Sequence, residues 1–275
     1  MRFTIFLAAC VCLPLSAAAQ QGRSGQASRP GWPCAGNVDP SYVQVSEATG
    51  GKVLMFHPTE IGGFAVDERA SRQHSETVFR AAGQLAGDSS ELTVPIDSTI
   101  ESAYFSVSVQ CLQVVTLITP SGQELSIGTE GVEYHQFESI RLFVVPRPAP
   151  GLWKVIAAGR GFFSMIVSAR TELRLDNVRL VDRGMTPDRK PATSLEATVR
   201  GPVRQAGFHF VAGNGSPIQS VDLSLNDESP DGRNYVGFVA RPRANFRIAV
   251  SGLDSSGFQF QRMESRLSMG SASSK

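Results

Sequence analysis

One short stretch, Pro146-Arg147-Pro148-Ala149-Pro150-Gly151-Leu152-Trp153-Lys154, constrains this chain more than any other. It joins two strand-like apolar runs, Ile140–Val145 and Leu152–Ala158. Proline has no N–H to give to a sheet ladder and a fixed φ, so the connection has to be a stiff, extended corner at a sheet rim. Gly151 then turns the chain, and Trp153 enters the next strand as a large apolar anchor. Upstream, Thr119-Pro120-Ser121-Gly122 reads as a turn after the run Val114–Ile118. Strands joined by such corners build a β-sandwich.

From Glu76 onward the chain is regular. Thr77–Gln84, Glu91–Asp97, Glu101–Cys111, Gln113–Thr119, Ser139–Val145, Leu152–Ala158 and Gly161–Ala169 all read as strands. Their spacing of roughly 8–12 residues is that of a sandwich. Within one of them Phe105, Val107 and Val109 fall on one face, and Tyr104, Ser106 and Ser108 on the other. These strands define a first lobe, residues 76–170. A second lobe, 171–267, opens with Leu173, Leu175, Val178 and Leu180 alternating against Arg174, Asp176 and Arg179, with a slip near Asn177 that marks a bulge. Gly184–Pro191 reads as a loop. Leu195–Val199, Gly207–Ala212, Gln219–Leu225, Tyr235–Ala240, Ala244–Gly252 and Gly257–Met263 complete a lobe of immunoglobulin or fibronectin III type. The expected class is therefore mainly β, two β-sandwich lobes with a small N-terminal α/β piece.

That piece occupies residues 20–75. After a polar start, Asp39 caps a short helix with Pro40 in its first position, and Gly50-Gly51 end it. Lys52–Phe56 reads as a short buried strand closed by His57, and residues 62–74 as a loop. Ser268–Lys275 is a polar tail.

The first residues, 1–19, have the layout of a secretory signal: Arg2, an apolar core over Phe3–Leu15, and Ala17-Ala18-Ala19 before the cut. Leu7-Ala8-Ala9-Cys10 also matches a lipoprotein signal, but cleavage there leaves an apolar core about half the usual length. No later stretch reaches the ~18 apolar residues of a membrane helix. Export removes Cys10 and Cys12. Cys34 and Cys111 remain, and an oxidising compartment favours one disulfide over two separate buried thiols. The expected location is secreted or periplasmic. A net charge of +1 over 275 residues gives no electrostatic case for nucleic acid.

The residues that carry chemistry are sparse. No Gly-x-Ser-x-Gly elbow stands between a strand and a helix. His57, His74, His135 and His209 are far apart and show no metal-ligand spacing. The acidic stretch Asn226–Gly232 carries Asp227 and Asp231, but Gly237 and Phe238 stand where a calcium loop needs a bidentate glutamate. It reads as a solvated hairpin tip, with calcium binding or recognition as the alternatives. Glu130, Glu133 and Glu138 flank Tyr134 and Phe137 in a long loop before Ile140, suited either to contacting sugar or to covering one end of the sandwich. No cofactor, metal site or catalytic residue is expected.

Several segments together resemble a known family. They are Val94–Asp97, Ile118–Gly122, Pro146–Trp153 with Gly159–Val167, and Val250–Asp254 with Gly257–Arg262. Their pattern is similar to the region that follows the von Willebrand factor A domain in hemicentin-type extracellular proteins, and Val43–Phe56 resembles the last helix and strand of that A domain. The A domain's Asp-x-Ser-x-Ser metal site is absent. The resemblance implies an extracellular interaction module without metal-dependent adhesion. The expected function is thus non-catalytic binding or adhesion toward an extracellular or envelope protein. The alternative is a carbohydrate-binding module accessory to a hydrolase.

Overall fold

Asp39 caps the first helix: its carboxylate accepts the Ser41 N–H at 2.8 Å, Pro40 follows, and helix α1 (Pro40–Thr49) ends at Gly50 with φ of 76°. The structure is a computed structural model describing residues 34, 38–185, 191–229 and 232–270. The expected signal sequence, the polar start, Asp231 and Ser271–Lys275 lie outside the described residues.

Three expectations for the N-terminal piece are corrected. Lys52–Phe56 is not a strand. Leu54 and Phe56 instead lie on the outer face of the first sheet, against Tyr104, Ile140 and Leu142, where no strand edge offers a ladder. His57 closes no strand either; it caps the single-turn helix Pro58–Glu60, and Glu60 bonds back to it. Residues 62–74 are not a loop but mostly helix α2 (Gly62–Gln73), whose Val66 and Ala70 join the same apolar cluster. A helix this short is held by tertiary packing more than by propensity, so its sequence period is faint.

The first lobe contains β1 (Glu76–Ile96), β2 (Ile100–Ile118), β3 (Glu124–Leu125), β4 (Glu133–Gln136), β5 (Ile140–Pro146) and β6 (Gly151–Thr171). They form one sheet of order β1-β6-β2-β5-β4, with β3 on β2. Both β1 and β2 run antiparallel to β6, with Ile96 opposite Gly151 and Ile100 opposite Thr171. The link between Ile96 and Ile100 reaches at most ~15 Å. A straight strand as long as β6 would hold its two ends ~65 Å apart. So the strands fold back, and one continuous sheet supplies both layers of a sandwich.

The fold line lies at Gly159 and Gly161, where a Cβ on Gly159 would overlap the Cys111 carbonyl and Gly161 has φ of 87°. Register shifts flank it at Ala86/Ser89, Val109/Cys111 and Leu112/Val114. Here the sequence reading is corrected: the paired runs on either side of these sites are halves of β1, β2 and β6, because bulges and glycines bend a ladder without breaking it.

Trp153 is where the two layers meet. It is 1% exposed and its ring stacks on Phe105 at 5.7 Å, although the ladder sets Phe105 opposite Val167. Its indole N–H donates to the Ala149 carbonyl at 2.8 Å, so the tryptophan also ties down the proline corner.

The second lobe has β7 (Arg174–Met185), β8 (Pro191–Arg200), β9 (Val203–Val211), β10 (Pro217–Val221), β11 (Ser224–Ser229), β12 (Gly232–Val239), β13 (Arg247–Asp254) and β14 (Gln259–Met263). One sheet runs β7-β8-β12-β11 and the other β10-β9-β13-β14. In chain order this is the immunoglobulin A-B-E-D sheet facing C-F-G, with one added strand beside C. Leu195, Ala197 and Val199 meet Phe210, Phe246, Ile248 and Val250 in its core. The slip near Asn177 is a bulge, with φ of 53° at that residue. The expected strand Gln219–Leu225 is in fact two, since the chain crosses between sheets after Val221 and resumes at Ser224. Among the described residues no helix is long and apolar enough to cross a membrane.

Candidate functional site

The seam between the lobes is apolar at its centre: Val211, Ala249 and Met263 of the second lobe join the first lobe's core. Two ionic knots are buried in it. The carboxylate of Glu47, on α1, takes Arg80 of β1 at 2.6 Å on one oxygen and Arg247 of β13 on the other. Both guanidinium side chains are at most 2% exposed. Burial pulls each arginine down to about 10, which leaves both charged at neutral pH. Arg80 also donates to the Gly50 and Gly51 carbonyls.

In the second knot Arg262 of β14 pairs with Asp97 at 2.7 Å, and both side chains are at most 1% exposed. The same guanidinium reaches the Leu173 carbonyl at 2.8 Å and the Thr171 hydroxyl at 3.0 Å. Next to it Asp254 accepts the Ser98 N–H at 2.9 Å and the Ser98 hydroxyl at 2.6 Å. The segments Val94–Asp97, Val250–Asp254 and Gly257–Arg262 therefore converge on one place. Their polar residues fasten the lobes together.

A further polar group lies under α2. Asp67 accepts from Lys52 at 3.2 Å and from the buried Tyr104 hydroxyl, and Lys52 also reaches Ser71. Burial lowers the Lys52 pKa while Asp67 opposes the fall. The C-cap residue His74 contacts the Ala70 carbonyl at 2.6 Å through Nδ1 and the Ser102 hydroxyl at 2.9 Å through Nε2. The tautomer with the proton on Nδ1 satisfies both. A serine–histidine link is the start of a nucleophilic site. Here, however, the third partner is a helix carbonyl and Ser102 is a rung of the sheet, opposite Pro146 and Arg170. Burial lowers the His74 pKa. The pair ties the end of α2 to β2.

The residues singled out from sequence are placed as follows. Cys34 and Cys111 form a disulfide. Tyr134 stands on the short strand β4 and not in a loop, with its half-buried ring edge-on to Phe143 at 4.8 Å. Phe137 is half-buried too, edge-on to Phe56 at 5.2 Å, so the two rings do not make an exposed strip. Asp227 lies within β11 opposite Asn234, so the strand continues into what read as the hairpin tip. Asp231 lies outside the described residues. Among the described residues no group of three His, Cys, Asp or Glu side chains could hold a metal ion.

Two clefts among the described residues bear on binding. The larger, about 410 Å³, lies between the single-turn helix and the β4–β5 connection, lined by Glu60, Gln113, Gln136, Phe137, Glu138 and Arg141. The smaller, about 330 Å³, is at the end of the second lobe, beside the Glu228–Arg233 pair, which spans 2.8 Å. Sequence reasoning found Phe137 and Glu138 of the larger cleft and missed Glu60, Gln113, Gln136 and Arg141. Only the fold brings Glu60 and Gln113 to that place, and no local pattern marks them. The outer face of the second lobe carries Phe238, 73% exposed.

No family model matches the chain, and no curated protein matches it. Among solved structures it is similar to a Bacillus licheniformis lipase, BlEst2, in its propeptide form, with 12% identity and a TM-score of 0.35. The match covers 69% of this chain and 40% of that one, so the chain spans less than half of that structure's length.

Proposed function

We propose that this chain is an exported, non-catalytic interaction module that engages an extracellular or envelope protein. The supporting observation is the welding of an immunoglobulin-like sandwich to a second sandwich by ion pairs buried in the seam between them. Such a body holds its surface hairpins in fixed relative positions, and rigid scaffolds carry recognition on exposed elements of this kind. Phe238 on β12 is 73% exposed, on the face of the sheet turned away from Tyr235 and the core, and offers the apolar part of a contact. The sequence resemblance to the hemicentin-type region points the same way.

The test is capture from host envelope extract with the chain from Gln20 to Lys275, alongside a Phe238→Ser variant. Recovery of one defined protein by the native chain, with loss of that protein in the variant, supports the module. Equal recovery by both chains, or no defined protein at all, overturns it.

A further inference from the structure

The larger cleft has a construction that the seam and the outer hairpin do not share. Its charged walls are fixed by the backbone. Glu60 accepts the Glu138 N–H at 2.9 Å and the His57 N–H at 3.3 Å. Arg141 donates to the carbonyls of Ile140, at 2.9 Å, and of Phe137. Each group keeps hydrogen-bonding capacity beyond these bonds, since a carboxylate has about four acceptor sites and a guanidinium five donors. The two side chains line one cleft and feel one another's charge, yet no ion pair joins them among the described residues. The exposed amides of Gln113 and Gln136 and the ring of Phe137 complete the wall.

We infer that this cleft binds a neutral saccharide. A sugar hydroxyl both donates and accepts, so adjacent hydroxyls can donate to Glu60 or Glu138 while accepting from Arg141 or an amide. The apolar face of the ring lies against Phe137. A volume of about 410 Å³ falls in the range of small-molecule sites. The groups that hold the polar walls are backbone atoms, so the site is organised before the ligand arrives and loses little in ordering. The opposed charges would also suit a zwitterion. Two side-chain amides and an aromatic ring favour the sugar. This site does not depend on the protein-binding reading above, because none of its residues lies on the second lobe.

Calorimetric titration of the chain from Gln20 to Lys275 tests the assignment. The probes are cellotetraose, xylotetraose, mannotetraose and N-acetylchitotetraose, with diglycine as the zwitterionic control. Gln113→Ala, Gln136→Ala and Glu138→Gln are the variants, and thermal unfolding reports whether each is folded. The expected result is saturable binding of at least one tetrasaccharide. Each variant should weaken it by about tenfold, as removal of one hydrogen bond to a fixed polar group predicts, with an unchanged unfolding midpoint. No binding of any tetrasaccharide at about 10 mM overturns the inference, a concentration at which millimolar affinity registers. So does binding of diglycine in their place, or tetrasaccharide binding that all three variants retain.

Discussion

Glu47 and Arg247, separated by 200 positions in the chain, form an ion pair inside the protein. The other carboxylate oxygen of Glu47 holds Arg80 of the opposite lobe, so one acid on a helix of nearly three turns pairs with two buried cations from different sandwiches. The helix is inverted in its burial: Tyr42 and Val45 are half exposed, while Ser46 and Glu47 are its buried residues. It is attached by charge more than by apolar area.

Glu47→Gln should destabilise the protein by about 3–5 kcal/mol, because removing one partner leaves uncompensated buried charge. Urea unfolding measures the loss. Replacing Arg80 and Arg247 by Met in the same variant should recover most of it, since apolar side chains of similar size tolerate the site. If the triple variant is no more stable than Glu47→Gln alone, the charges are not what the helix neutralises.

Gly159→Ala tests the fold line in the first lobe. A Cβ there would overlap the Cys111 carbonyl across the ladder, and backbone cannot move aside as a side-chain tip can. The expected cost is about 1–3 kcal/mol, as for other overpacked sites. Gly128→Ala and Gly257→Ala are controls, since their Cβ would meet open space. They should show only the smaller penalty of a positive φ.

The Cys34–Cys111 bridge closes a loop with a sequence separation of 77. On the chain-entropy model its loss costs about 4.5 kcal/mol. Unfolding with and without reductant, compared with a Cys34→Ser/Cys111→Ser chain, measures this. The reduced native chain and the double variant should unfold at the same denaturant concentration.

His74 gives the fold a pH dependence with a definite sign. Its folded pKa is lowered by burial, so below the unfolded value of 6.5 the unfolded chain binds a proton that the folded one refuses. Stability from this group is present above that value and falls as pH drops below it, by at most about 1.4 kcal/mol per unit, until the folded pKa is reached. Urea midpoints at pH 7.5 and 5.5 should differ more for the native chain than for His74→Asn. An equal difference in both would remove His74 as the cause.

Much of the fold could be read without coordinates. The prolines of 146–150 mark a rim corner whatever their surroundings, because a missing N–H is a local fact. Alternation over Ala103–Val109 and Leu173–Leu180 assigned strands and even the bulge at Asn177. What escaped was the continuity of β1, β2 and β6, since a bulge and a strand end look alike in sequence. Helix α2 escaped because its Gly, Arg and Ser content obscures the period that its packing on Tyr104 requires.

The site residues divide along the same line. Phe137 and Glu138 were found because an aromatic beside an acid is visible locally, and Cys34 with Cys111 because they are the two cysteines outside the expected signal sequence. Glu60, Gln113 and Arg141 meet only through the folded-back sheet and the helix above it. Asp97, Arg262 and Asp254 stood out in the sequence as parts of short patterns. Their common purpose, fastening one lobe to the other, depends on contacts across 165 and 156 positions. By itself the sequence determined most of the strand positions and the rim corner, both set by backbone preferences within a few residues. The tertiary structure decided how three long strands fold into a sandwich, which charges are buried and which groups share a cleft. Those outcomes depend on long-range packing, where a buried charge is tolerable only once its distant partner is in place.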